Sequence, residues 1–161
     1  MHTNDFNIRR AVSGDLPALG RLGAGLMRAH YGFDPQRFMA PGDHPERGYA
    51  WFLGQQLERE DAAILVAERR GAVVGYVHTA VEPQSWKELR EECGYIHDVM
   101  VDEGSRGAGI ATAMMTAAFE WLTARQVPRV VLWTASANEA AQRLFAQLGF
   151  RPTMIEMTRE L

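Results

Sequence analysis

Arg106, Gly107 and Gly109 stand between an apolar run, Val99–Val101, and the apolar start of a periodic segment at Ile110. A turn in that place leaves backbone N–H groups without partners at a helix N-terminus, where the helix dipole favours an anion. Glycines carry no Cβ, so a phosphate can come close to the main chain. Arg106 adds a fixed charge beside those donors. Arginine at a helix start is unfavourable by dipole alone, so its presence makes sense with an anion next to it. The chemistry expected of this stretch is the cradling of a pyrophosphate.

Such a cradle needs a strand before it and a helix after it, and the chain supplies both. Gly94–Asp102 reads as a strand and Gly109–Gln126 as a helix, buried along Ile110, Met114, Ala117, Trp121 and Leu122. Upstream, Asn7–Val12 reads as a first strand with Ile8 and Val12 inward. A helix follows from Asp15, with Leu16, Leu19, Leu22, Leu26 and Met27 at helical spacing. Tyr31–Arg47, rich in proline and glycine, reads as a loop, and a second helix carries Trp51, Phe52 and Leu57. Ala62–Arg69 and Ala72–Val81 flank Arg70–Gly71 as a hairpin. Downstream, Arg129–Thr134 reads as a strand, Asn138–Leu148 as a helix stopped by Gly149, and Phe150–Glu160 as a last strand. That order defines an α/β arrangement on a mixed sheet.

The absence of a Lys-Ser/Thr pair excludes a Walker loop, and the glycine spacing misses the dinucleotide fingerprint. What remains, R-G-A-G-I-A over Arg106–Ala111, resembles the coenzyme A loop of the GNAT superfamily of N-acetyltransferases. A second stretch, Asn138–Phe150 (NEAAQRLFAQLGF), is similar to that family's N-x-x-A-x-x-L-Y/F-x-x-L/M-G-F pattern. The resemblance implies a GNAT fold: a mixed, largely antiparallel sheet of six to seven strands flanked by about four helices, forming one domain over residues 1–161.

It also implies acetyl-CoA as acetyl donor. The diphosphate would meet Arg106 and the amides of Gly107, Ala108, Gly109, Ile110, Ala111 and Thr112. The thioester arm would run along Val99, Met100 and Val101, where the family's strand splays from its neighbour and offers an N–H to the carbonyl oxygen. Asn138, small Ala141 and Phe145 would border the same arm. Many members place a tyrosine at the Phe145 position to protonate the departing thiolate. Phe145 has no such proton, which leaves Ser136 or water. It also keeps open a competing reading, a CoA-binding regulatory protein without turnover. An acyl donor longer than acetyl, or a nucleotide on the same loop, are further options.

An alkylammonium with a pKa of about 10.4 is neutral about once in 2,500 at pH 7, so a proton acceptor near the amine helps. His97 is the first candidate, because an imidazole exchanges protons near neutrality. Asp98 is a candidate to bind a cationic acceptor or support its neighbour. Strand alternation places Tyr95, His97, Val99 and Val101 on one face, with Ile96, Asp98 and Met100 on the other, unless a bulge resets the phase. Trp121 and Trp133 read as core. Tyr31, Trp51 and Trp86, with Glu82, Glu88, Glu91 and Glu92, are expected to rim an acceptor pocket.

The 47% apolar share suffices for a core, and a net charge of −3 argues against a broad grip on nucleic acid. A single cysteine, Cys93, rules out an intrachain disulfide and a multi-thiolate metal site. The polar start, MHTNDFNIRR, lacks a leader's apolar core, and no apolar run reaches membrane-spanning length. The expectation is a cytoplasmic enzyme acting on a small-molecule or peptide amine, without metal, membrane or nucleic-acid partner. A homodimer through an exposed terminal strand is a further expectation.

Overall fold

The computed structural model describes residues 5–161; the polar start Met1–Asn4 lies outside them. The elements are β1 (Phe6–Arg10), α1 (Leu16–Phe33), α2 (Pro45–Leu57), β2 (Ala62–Arg69), β3 (Ala72–Glu82), β4 (Cys93–Val101), α3 (Ile110–Thr123), β5 (Val130–Leu132) and α4 (Glu139–Gln147). Short 3-10 turns at Ser13–Asp15 and Glu103–Ser105 precede α1 and α3. The sheet runs β1-β2-β3-β4-β5, antiparallel through β4, with β5 parallel to β4.

Alternation along β2 explains how one sheet serves two cores. Leu65 and Ala67 face α3, packing with Met114, Met115 and Leu122. Ile64 and Val66 face the other way, toward Leu19, Leu22 and Leu53 of α1 and α2. The β2–β3 hairpin closes through Arg70 (φ 52°) and Gly71 (φ 78°), the two left-handed residues that a tight two-residue turn demands. On the face of α1 that meets α2, a side chain at Gly20 would run into the Glu46 carbonyl. One at Gly23 would run into the Tyr49 ring, so these two glycines set how closely the helices approach.

Several sequence expectations are corrected. The sheet has five strands rather than six to seven, because Phe150–Glu160 forms no strand. A strand needs a neighbour for its backbone groups, and this segment finds none among the described residues. Residues 151–161 are exposed, with an Arg37–Glu156 ion pair tying them to the α1–α2 connection. That connection is shorter than the expected loop, since α1 reaches Phe33 and α2 begins at Pro45. Val12 lies beyond β1 and is exposed rather than inward. In α3 the fully buried stripe is Ile110, Met114, Met115, Ala118 and Leu122, while Ala117 and Trp121 lie at its margin. The Arg125 guanidinium covers the Trp121 ring at 3.5 Å. Trp133 is 66% exposed and is not core.

Candidate active site

The site is organised by what happens to β4 along its length. Pairing with β5 is confined to Gly94–Ile96, so from His97 to Val101 the strand has no neighbour on that side among the described residues. The Asp102 amide donates to the Val74 carbonyl on the β3 side at 2.8 Å. Antiparallel alternation then turns the Val99 and Val101 amides toward the open side and the Met100 amide toward β3. Val99, Met100 and Val101 therefore do not act alike: two of the three amides face the gap. The open side is the wedge that a thioester arm would need.

At its C-terminal end β4 runs into the phosphate-type loop. The first helical amide to find a backbone acceptor is that of Ala113, on the Gly109 carbonyl at 3.0 Å. The amides of Gly107, Ala108, Gly109, Ile110, Ala111 and Thr112 find none among the described residues. Gly107 (φ 77°) and Gly109 (φ 78°) adopt left-handed backbone, and an added Cβ at either would meet nothing within 4 Å. Backbone conformation, not crowding, selects glycine there, and the space above the loop stays open. Arg106 is exposed and anchors only its Nε, on the Val101 carbonyl at 3.2 Å. The nearby Asp102 carboxylate is occupied by Arg21 at 2.6 Å. Six donors, open space and a partly uncommitted guanidinium fit a diphosphate such as that of coenzyme A.

Midway along, the β3–β4 register slips by one residue: His78 pairs with Asp98 and Thr79 with Ile96, leaving His97 as the extra residue of a bulge. This overturns the expected faces. Ile96 joins Val99 and Val101 on the α3 side. Asp98 and Met100 join Tyr95 and His97 on the side of α1 and α2, where Met100 packs near Tyr76. The bulge thus brings two consecutive side chains, His97 and Asp98, to one face.

Each has a distinct setting. The His97 ring lies between those of Tyr95 (centroids 4.6 Å apart) and His78 (4.8 Å), nearly parallel to both. Its Nε2 lies 2.8 Å from Glu82 Oε1. Asp98 Oδ2 accepts from Tyr76 Oη at 2.9 Å and Tyr49 Oη at 3.1 Å. Burial pushes the Asp98 carboxyl above the usual carboxylate range, although each phenol pulls it down. Both phenols are held above the usual tyrosine range, chiefly by burial. His78 is 2% exposed, neither ring nitrogen has a hydrogen-bond partner among the described residues, and burial presses its pKa down to about 3.

Beyond His97 a cavity of about 260 Å³ is lined by Glu82, Glu88, Arg90, Tyr95, Ile96, His97 and Trp133. Glu82 and Glu88 are where the sequence placed an acceptor rim, but Glu91, Glu92, Tyr31 and Trp86 do not line this cavity. Trp51 borders a different depression, between the β1–α1 turn and α2. Asn138 Oδ1 caps α4, accepting from the Ala141 amide at 3.2 Å. Ser136 is exposed in the β5–α4 loop, where its carbonyl accepts from Gln142 Nε2 at 2.9 Å. Phe145 is buried in the α3-side core, edge-on to Phe150. Sequence reasoning missed Tyr49, Tyr76 and His78, and it treated Glu82 as rim rather than as the partner of His97.

A five-stranded mixed sheet opened at its parallel pair, with a donor loop at the end of the opened strand, defines a coenzyme A-dependent acyltransferase architecture. Residues 27–150 match the acetyltransferase (GNAT) family model. The chain belongs to the GNAT acetyltransferase family, whose enzymes bind acetyl-CoA. A mycothiol acetyltransferase of Thermobispora bispora is 29% identical over 93% of this chain and 64% of its own length, so the chain spans less than two-thirds of that relative. A crystal structure of a mutant of the BH1408 protein from Bacillus halodurans superposes with a TM-score of 0.81 at 25% identity, covering 96% of this chain and 99% of that one. A Clostridium acetobutylicum protein described as a predicted acetyltransferase, solved with acetyl-CoA, has a TM-score of 0.73 at 18% identity. It covers 95% of this chain and 96% of its own, a likeness of fold alone.

Proposed function

We propose that the chain moves an acetyl group from acetyl-CoA directly to a primary amine of a small-molecule or peptide acceptor. The observation that carries this reading is the continuity of open donors: Val99 and Val101 on the unpaired side of β4, then the six amides from Gly107 to Thr112. Arg106 and the loop amides hold the diphosphate, and the strand amides hold the arm. Bound there, acetyl-CoA supplies a thioester carbonyl as electrophile, and no covalent enzyme intermediate is needed.

His97 takes the proton from the amine. Glu82, against Nε2, fixes the tautomer and leaves Nδ1 as the basic atom. Tyr95 and His78 hold the ring flat between them. Phe145 offers no hydroxyl, so the departing thiolate draws its proton from Ser136 or water. A thiol of pKa about 8.5 leaves readily.

Calorimetry with acetyl-CoA, CoA and ATP tests the cofactor half. Binding of both CoA species but not ATP is expected, and failure of acetyl-CoA to bind overturns the reading. Thiol release across a panel of polyamines, aminoglycosides, amino acids and peptide N-termini tests the acceptor half. Phe145 favours one alternative: tight acetyl-CoA binding without thiol release from any amine would assign a regulatory role instead. β5 ends the sheet as an edge strand, and a homodimer that pairs a second copy along it would sediment at twice the monomer mass.

A further inference from the structure

Tyr49 reaches the site only because α1 lacks a side chain at Gly23. An added Cβ there would collide with the Tyr49 ring, so the ring lies against bare helix backbone. From that seat its hydroxyl meets Asp98 Oδ2, the same oxygen that Tyr76 meets from β3. Among the described residues Oδ1 receives no hydrogen bond. The other titratable groups facing the carboxyl are His30 of α1 and His97 beside it on β4. Both have other partners: His30 Nδ1 meets the Leu26 carbonyl at 2.9 Å, and His97 Nε2 meets Glu82.

Asp98 is only half-buried, and its Oδ1 is not one of the buried side-chain atoms left without a partner, so that oxygen is open to a ligand. Here two phenols converge on one oxygen and leave the other without a donor. We infer that Tyr49 is a positioning residue for acceptor capture: seated on Gly23, it clamps one oxygen of Asp98 and presents Oδ1 to the ammonium of the incoming amine. The inference rests on the amine-acceptor reading above. It divides the work at the bulge, Asp98 holding the cation and His97 removing its proton.

The test is thiol release as a function of amine concentration, from mildly acidic to mildly alkaline pH. It compares wild type, Asp98→Asn, Tyr49→Phe and Gly23→Ala, with acetyl-CoA affinity measured separately. Asp98→Asn keeps the shape and the phenol bonds but loses the charge. It should lower kcat/KM for the amine by about 10- to 100-fold, mostly through KM, with acetyl-CoA affinity unchanged. Tyr49→Phe removes a donor that favours the ionised carboxyl, so Asp98 ionises at higher pH. The acid limb of 1/KM for the amine should move up by roughly half a unit to one unit, while kcat and the alkaline plateau are retained. Gly23→Ala displaces the ring without touching a polar group and should move the limb the same way. If Gly23→Ala fails to fold, Tyr49→Phe alone decides. A lowered plateau with an unmoved limb, or an Asp98→Asn enzyme within twofold of wild type, overturns the inference while leaving the acetyltransferase reading intact. Wild type that releases no thiol with any amine overturns both.

Discussion

The loop from Arg106 to Thr112 follows the strand that carries the bulge at His97–Asp98, yet the two are made of different materials. The loop is backbone: six amides from consecutive residues, two left-handed glycines and one arginine, all within seven positions. The bulge is side chain: Glu82 and His78 from β3 and Tyr95 from β4 itself meet His97, while Tyr76 from β3 and Tyr49 from α2 meet Asp98. A backbone site is specified locally and holds whatever carries the right charge. A side-chain site depends on packing between distant elements, so it can differ among proteins that share the fold. That contrast explains why the loop matches a local sequence pattern while the bulge matches none.

The sharpest way to break the comparison is to remove chemistry from one end and binding from the other. His97→Ala should lower kcat by about 10²- to 10⁴-fold, the range for a lost general base, with acetyl-CoA affinity intact. The loss should be larger at about pH 6.5 than at about pH 9, where more of the amine is already neutral. A loss independent of pH would make His97 a packing residue. Arg106→Glu should do the converse, weakening acetyl-CoA by about 10- to 100-fold through repulsion of the diphosphate. Its kcat at saturating cofactor should stay near wild type. Unchanged affinity would separate Arg106 from the diphosphate site.

His78 exposes a cost that only the bulge end carries. Its pKa, pressed to about 3 by burial, lies below the unfolded value of 6.5. The unfolded chain therefore binds a proton that the folded chain refuses, and stability falls as pH drops through 6.5 toward about 3. Between neutrality and about pH 5 this amounts to about 2 kcal/mol. His78→Leu, which also removes two unpartnered nitrogens, should lose that part of the acid sensitivity in urea melts at the two pH values. Identical acid slopes in both proteins would show that the proton is taken up elsewhere.

Legibility in the sequence follows the same division. Arg106, Gly107 and Gly109 disclosed the loop, and Arg70–Gly71 the hairpin, because each depends on neighbours in the chain. The bulge did not show, since one extra residue inverts every later side chain and no residue type announces it. Alternation therefore put Asp98 on the wrong face, and the Tyr49 contact, 49 residues away, was invisible. The final strand failed for a related reason. The pattern in Phe150–Glu160 describes what that segment could pair with, not whether a partner edge is present.

Asn138 sharpens the contrast from the side of stability. It is a local, backbone-directed device like the loop, since its Oδ1 accepts from the Ala141 amide at the start of α4. Asn138→Ala forfeits that bond and should cost about 1 kcal/mol, a fall in Tm of roughly 2–4 °C for a domain of this size. The resemblance places the same residue beside the cofactor arm, so the variant separates two roles. A melt shift with unchanged acetyl-CoA affinity makes Asn138 a helix cap alone. A loss of affinity beyond the change in stability would bring the α4 terminus into the donor site and lengthen its backbone-built end from β4 across the wedge.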